Sequence, residues 1–161
     1  MLLRRSGKRY NEYMEIVRDV MSSPSIQRLK EYDQHMGTSR LKHSISVSYK
    51  SFLLAKFLGW NSRAAARGGL MHDMFYYNFR EAGYSAREHC RIHPQIALRN
   101  ARCNFAVSEI ESDIIGSHML LTNWVKPKYK ETYLIVLMDN YCALEEVIKG
   151  LLNKFTKEKK K

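Results

Sequence analysis

The chain has 161 residues, with 27 Lys and Arg against 16 Asp and Glu, which gives a formal net charge of +11. This length favours one domain, and 45% hydrophobic with 27% charged residues excludes a wholly disordered chain. No stretch approaches the ~18 consecutive apolar residues of a membrane-spanning helix, so no membrane partner is expected. The basic N-terminal residues precede no apolar signal core, and the three cysteines lie far apart. We therefore expect a cytoplasmic protein with reduced thiols.

Most of the positive charge lies in two segments. Residues 1–10 carry four basic and no acidic side chains, and residues 149–161 carry six Lys and one Glu. Binding of nucleic acid is therefore expected only weakly, through these basic segments. Residues 40–102 hold 11 Lys or Arg against three acids, a local excess that favours a small phosphorylated ligand.

Helical patterns dominate the chain, because only three prolines occur and no Asn-Gly or Asp-Gly hairpin turn is present. The apolar periodicity predicts seven helices, at residues 10–21, 25–34, 41–58, 64–71, 95–104, 109–119 and 129–152. The predicted fold is an all-α, compact single-domain bundle of about seven helices over residues 1–153. A frayed basic segment is expected at residues 154–161.

Local signals set several of these boundaries. Ser62 is a candidate N-cap for the helix of small residues at 64–71, which we expect to be central and buried. S-x-x-E capping boxes begin at Ser85 and Ser108. Pro94 is typical of a first helical turn, so it predicts a helix over 95–104 with His93 as its N-cap. Residues 74–80 are aromatic and irregular, and 120–128 form a predicted loop.

Several histidines and aspartates occupy positions where a polar side chain is costly unless it binds something. Asp139 follows the apolar stretch at 134–138, and His72-Asp73 ends the small-residue helix. The other candidates are His43, His93 and His118. Imidazole and carboxylate ligands without a thiolate suit Fe, Mn, Zn or another divalent ion. From the residues alone, a metal site and a set of core histidines bonded to backbone carbonyls remain equally open.

The order of these residues resembles the H…HD…H…H…D signature of the HD superfamily of metal-dependent phosphohydrolases, in its small dinuclear branch. The opening Arg40-Leu41-Lys42-His43-Ser44 and the small-residue helix before His72-Asp73 are both features of that family. The pattern covers residues 40–139. The resemblance implies a helical HD-type domain that hydrolyses a phosphate ester or phosphoanhydride, with a nucleotide as the typical substrate.

The resemblance also implies a dinuclear site of divalent ions (Fe, Mn or another transition metal) with six ligands: His43, His72, Asp73, His93, His118 and Asp139. His93 and His118 would hold one cation, the other residues would hold the second, and Asp73 would bridge them. The two cations would generate a hydroxide that attacks phosphorus. His72 and Asp73 would be the catalytic residues.

Basic side chains near the motif are candidates for binding the substrate phosphate: Arg40, Lys42, Arg80, Lys126 and Lys130. For each of them the alternative is an ordinary solvated cation. After His72-Asp73 the chain continues Met-Phe-Tyr-Tyr-Asn, without the small or acidic residues that often follow in the family. The alternative function is a non-catalytic HD-type module that binds a nucleotide or a partner protein.

Overall fold

The computed structural model describes residues 7–35, 37–120 and 125–158, and it confirms the predicted all-α, single-domain bundle. Seven α-helices follow one another over these residues: α1 (Gly7–Met21), α2 (Pro24–Gln27), α3 (Arg40–Phe57), α4 (Ser62–Met71), α5 (Ala86–Asn104), α6 (Glu109–Ser117) and α7 (Lys130–Glu158). A 3-10 turn at Arg28–Glu31 and two short strands, β1 (Asp33–His35) and β2 (Thr38–Ser39), connect α2 to α3.

Helix α4 is the central element, as its small residues predict. It packs against α1, α3, α6 and α7, and every residue from Ala64 to Met71 is buried. Two glycines allow this close packing, because a Cβ on Gly68 would lie 2.8 Å from Cγ2 of Ile114 in α6. A Cβ on Gly69 would lie 3.0 Å from the Cα of Ser48 in α3. The C-terminal end of α4 is therefore held close to both neighbouring helices.

The prediction that Pro94 opens a helix is wrong. Helix α5 begins at Ala86, and its N-cap Ser85 forms a complete capping box with Glu88. Pro94 lies inside this helix, so His93 is an interior residue and not an N-cap. The capping box satisfies the first amide groups of the helix and starts it well before the proline. A proline in the interior removes one backbone hydrogen bond, yet here the helix continues to Asn104.

The helix predicted at 25–34 is also wrong in its second half. The α-helix ends at Gln27, and after the 3-10 turn the chain forms β1, which pairs antiparallel with β2. Gly37 lies between the strands with φ of 83°, a left-handed conformation that glycine adopts without strain. This tight connection brings the chain back to Ser39, whose side chain caps α3 by accepting from the backbone N–H of Lys42.

Helix α7 is longer than predicted and continues through Lys154 to Glu158, so the expected fraying is not observed there. Residues 159–161 of the predicted basic segment lie outside the described residues, as do residues 121–124 of the predicted loop. Among the helices of the described ranges, none has the length and apolarity that crossing a bilayer requires.

Candidate metal centre

The structure brings all six predicted ligand residues together. His43 lies in the first turn of α3, His72 and Asp73 directly follow α4, and Asp139 lies about a third of the way along α7. The Nε2 atom of His43 is 2.9 Å from Oδ1 of Asp139. The Nε2 atom of His72 is 3.5 Å from Oδ2 of Asp73 and 3.7 Å from Oδ1 of Asp139. His43, His72 and Asp73 form a first group whose ligand atoms all lie within 4.8 Å of one another.

Asp73 also belongs to a second group. Its other oxygen, Oδ1, is 3.4 Å from Nε2 of His93 in α5 and 3.7 Å from Nε2 of His118 at the end of α6. The two Nε2 atoms of His93 and His118 are 3.0 Å apart. Asp73, His93 and His118 again place their ligand atoms within 4.8 Å of one another. Asp73 therefore presents one oxygen to each group.

Three of the histidines are oriented in the same way. The Nδ1–H of His72, His93 and His118 donates to a backbone carbonyl three or four residues earlier, at 2.8–2.9 Å. Each hydrogen bond fixes the tautomer and directs the Nε2 lone pair into the cluster. In each ring the backbone carbonyl binds Nδ1 and makes no contact with Nε2. The Nε2 atom of His72 is buried and has no hydrogen-bond partner in the described structure.

The charges of the cluster favour cation ligation by its carboxylates. Burial by itself raises the pKa of Asp73, but the electrostatic effect of the neighbouring His72 and His93 rings holds it well below its usual range. For Asp139 burial again raises the pKa, but the hydrogen bond with His43 and the nearby His72 ring outweigh it and lower the value. Burial together with repulsion from His93 and His72 lowers the pKa of His118 to about 3. Both carboxylates are therefore ionised at neutral pH, and His118 is neutral.

Glu146 is a residue of the cluster that the sequence analysis missed. Both of its carboxylate oxygens lie 3.2 Å from Nδ1 of His43, on the side of the ring opposite Asp139. Burial lowers the pKa of His43, but the hydrogen bonds to Asp139 and Glu146 outweigh it and raise the value to about 10. Glu146 follows Asp139 by two helical turns, so this spacing could have revealed a second carboxylate on the same face of α7.

Gln34 is a second residue that the sequence analysis missed. Its Nε2 donates to Oδ2 of Asp73 at 2.6 Å, and its Oε1 accepts from Nε of Arg40 at 2.9 Å. The predicted helix over 25–34 gave no reason to place this side chain beside Asp73. It is strand β1 that brings Gln34 to the cluster.

Arg40 is buried rather than presented to a ligand. It is 4% exposed, and its guanidinium donates to the backbone carbonyls of Phe75 and Tyr77 at 2.7 and 3.3 Å. The guanidinium carbon also lies 3.6 Å from the centre of the Phe75 ring. Arg40 thus ties the irregular segment after Asp73 to the start of α3.

The other predicted substrate-binding cations are all exposed. Lys42 lies one residue before His43. Arg80 follows Phe79 and has its guanidinium carbon 5.5 Å from the centre of that ring. Lys126 lies in the segment before α7. Lys130 is 5.0 Å from the ring of Trp60 and begins α7, so about 13 Å of helix separates it from Asp139. The structure therefore does not bring Lys130 to the cluster.

An aromatic stack borders the second group. The ring of His89 stacks on His93 with a centroid distance of 4.5 Å, and Phe79 stacks on His89 at 4.7 Å. Tyr77 Oη lies 3.2 Å from Nδ1 of His89. Burial, followed by the charge on His93, lowers the pKa of His89 to about 4, so this ring is neutral at pH 7. The stack restricts the ring of His93 on the side that faces residues 77–80.

The donor set consists of groups that can bind a metal ion. It contains four imidazole nitrogens and two carboxylates, with no thiolate among them. A search of protein-family models, curated proteins and solved structures finds no match to this chain. The described residues form two His/Asp groups that are close enough to hold metal ions.

Proposed function

We propose that this chain is an HD-type, metal-dependent phosphohydrolase that hydrolyses a nucleotide or a related phosphoester at a dinuclear centre. The observation that supports the proposal is the position of Asp73, whose two oxygens face two separate groups of histidines. A carboxylate shared in this way is what a pair of adjacent cations needs as a bridging ligand. The resemblance of residues 40–139 to the HD signature supports the same reaction.

Each residue of the centre has a part in this proposal. His43, His72 and Asp139 would hold one cation, His93 and His118 would hold the other, and Asp73 would be shared between them. Cations held there would lower the pKa of a water molecule, so that it can act as the nucleophile, and would neutralise negative charge on the phosphoryl oxygens. The backbone carbonyls behind His72, His93 and His118, together with Glu146 behind His43, keep the four imidazoles in the ligating tautomer and orientation.

The substrate would approach where the cluster reaches solvent. Asp139 is the ligand with an appreciably exposed side chain, at 21%, and Lys42 precedes His43 on the exposed surface of α3. Arg80 is exposed beyond the aromatic stack. Lys42 and Arg80 are therefore the cations that we assign to substrate phosphates, whereas buried Arg40 positions the 75–77 segment. Cys103 and Cys142 form no disulfide, which supports the cytoplasmic location that we propose.

One observation favours a non-catalytic alternative. Apart from Asp139, the ligand side chains are at most 6% exposed, which also suits structural cations in a binding module. Metal content and turnover separate the two functions. Purified protein exchanged with Mn, Fe, Co, Ni or Mg would be tested for bound metal and for phosphate release from nucleotides and simple phosphoesters.

The phosphohydrolase is expected to bind two ions and to release phosphate with at least one metal. Asp73→Asn, which keeps the shape but removes the charge, should lower metal content and reduce turnover at least ~100-fold. The matched control is Glu145→Gln on α7, because Glu145 pairs with Lys50 and Lys149 and contacts none of the ligands. Bound metal without turnover under any condition would favour the binding module. A protein that retains no metal would contradict both.

A further inference from the structure

One face of α7 is apolar and exposed along most of the helix. Eight large side chains on this face are between 44% and 62% exposed: Tyr133, Leu137, Tyr141, Leu144, Ile148, Leu151, Leu152 and Phe155. At 100° per residue, all eight fall within about 100° of the helix circumference. We refer to these eight residues as the α7 stripe.

The α7 stripe is not the face by which α7 joins its own domain. That face carries buried Leu134, Ile135 and Cys142, and it packs against α3, α4 and α6. The last part of the helix leaves the domain altogether, since every residue from 151 to 156 is exposed. A helical segment that projects into water without packing is only marginally stable, and this one carries three large apolar side chains.

The spacing of the stripe is that of a helix-pairing seam. From Tyr141 to Phe155 its members follow at intervals of three, four, three and four residues: Tyr141, Leu144, Ile148, Leu151 and Phe155. This heptad pattern keeps an apolar seam facing a second helix over several turns. A second helix with the same heptad pattern can pack its own apolar seam against this one.

We propose that the α7 stripe pairs with the α7 stripe of a second copy of this chain, in an antiparallel homodimer whose twofold axis passes at Leu144. At about 100 Å² of exposed surface for each of eight large side chains, the stripe offers ~800 Å² per chain. That area equals the contribution of each partner in a stable interface of standard size. The inference is independent of the proposed hydrolase activity.

The positions of the seam residues support the antiparallel direction. Two pairs of stripe residues lie symmetrically about Leu144: Leu137 and Leu151 are seven residues away on either side, and Tyr133 and Phe155 are eleven residues away. Antiparallel pairing thus places the projecting half of each helix on the part of the other that lies against its domain. Residues 154–161 carry five Lys and one Glu, and a parallel pair would bring the two basic segments together.

Charge argues against a lipid surface as the occupant of the N-terminal half of the stripe. An amphipathic helix that binds anionic lipid carries Lys and Arg beside its apolar face. Residues 131–146 of α7 contain four acids and no Lys or Arg, although they carry half of the stripe. Such a segment would be repelled by anionic lipid, whereas it is compatible with a second protein chain.

The mass of the full chain in solution tests the interface. Light scattering with gel filtration at micromolar concentrations should give twice the 18.9 kDa of one chain. Leu144→Glu places two like charges at the axis and should weaken the dimer about 100-fold, giving monomers with unchanged helical content. The matched control is Phe57→Glu, because Phe57 is 84% exposed but lies outside the stripe, and this variant should remain dimeric.

The antiparallel direction of the two α7 helices is tested by disulfide cross-linking, after exposed Cys103 has been replaced by Ser. A mixture of Leu137→Cys and Leu151→Cys chains should form a disulfide between the two different variants. Self-linkage of Leu137→Cys in place of this product would overturn the antiparallel arrangement. A monomeric wild type, a dimeric Leu144→Glu, or monomers that bind phosphatidylglycerol vesicles would each overturn the interface itself.

Discussion

Replacing Glu146 by Ala should weaken cation binding at the first group without removing any ligand. Glu146 holds Nδ1 of His43 with both carboxylate oxygens at 3.2 Å, and its side chain is only 9% exposed. His43 itself is fully buried. The carboxylate therefore fixes the ring orientation and increases the basicity of Nε2, the atom that faces Asp139.

The size of the effect follows from the type of hydrogen bond. A hydrogen bond to a charged group contributes about 1.5–3 kcal/mol, which corresponds to roughly 10–100-fold in an equilibrium constant. Loss of Glu146 also lowers the raised pKa of His43, so a proton competes less with the cation in the variant. This second effect offsets part of the loss at neutral pH. The difference in affinity between wild type and variant should consequently grow from about pH 7 to about pH 9.

Calorimetric titration of the metal-free protein with Mn²⁺ at several pH values measures this difference. Glu145→Ala is the matched control, because the neighbouring carboxylate pairs with Lys50 at 2.6 Å and does not contact His43. Circular dichroism shows whether each variant keeps its helical content. Equal affinities for Glu146→Ala and Glu145→Ala at every pH would refute the reasoning.

Two further substitutions test the packing around the centre. Gly68→Ala should lower the free energy of unfolding by about 1–3 kcal/mol, because its methyl group would lie 2.8 Å from Cγ2 of Ile114. In a double-mutant cycle measured by denaturant unfolding, Gly68→Ala combined with Ile114→Ala should lose less unfolding free energy than the two single variants lose together. Strictly additive losses would contradict this close approach. Arg67→Met should cost about 3–5 kcal/mol, since it leaves the buried carboxylate of Glu111 without the guanidinium 2.9 Å away. Adding Glu111→Gln to Arg67→Met should restore part of the lost unfolding free energy in the same assay. If it restores none, the loss does not come from the uncompensated charge of Glu111.

The ligand residues could be predicted because their positions are costly in any helical packing. Asp139 beside an apolar stretch and His72-Asp73 at the end of a buried helix both require compensation. Their role in a shared centre follows from contacts among five helices, which no single stretch of sequence contains. The structure places His93 in the cluster but inside its helix rather than at the predicted N-cap, because the capping box at Ser85 starts the helix well before Pro94.

The residues that support the ligands were harder to predict. Gln34 reaches Asp73 from a strand that exists only through pairing with β2. The charge of Arg40 predicts that it binds phosphate, yet its guanidinium donates to carbonyl groups of the segment after Asp73. Such contacts depend on the fold as a whole, because tertiary packing decides whether a cation is buried or solvated. Glu146 could have been predicted, because it follows Asp139 by two turns of α7 and so lies on the same face of the helix.

The two glycines of α4 connect the packing of the bundle to the chemistry of the centre. They allow α4 to approach the backbone of α3 and the side chain of Ile114 in α6. The same approach places His72 at the end of α4 between the other helices, with its ring 5.6 Å from that of His43 and 5.1 Å from that of His118. The position of α4 thus sets the distances from His72 and Asp73 to the other residues of both groups. A larger residue at position 68 or 69 would move α4 and disturb both groups at once, whereas loss of Glu146 acts on the first group alone.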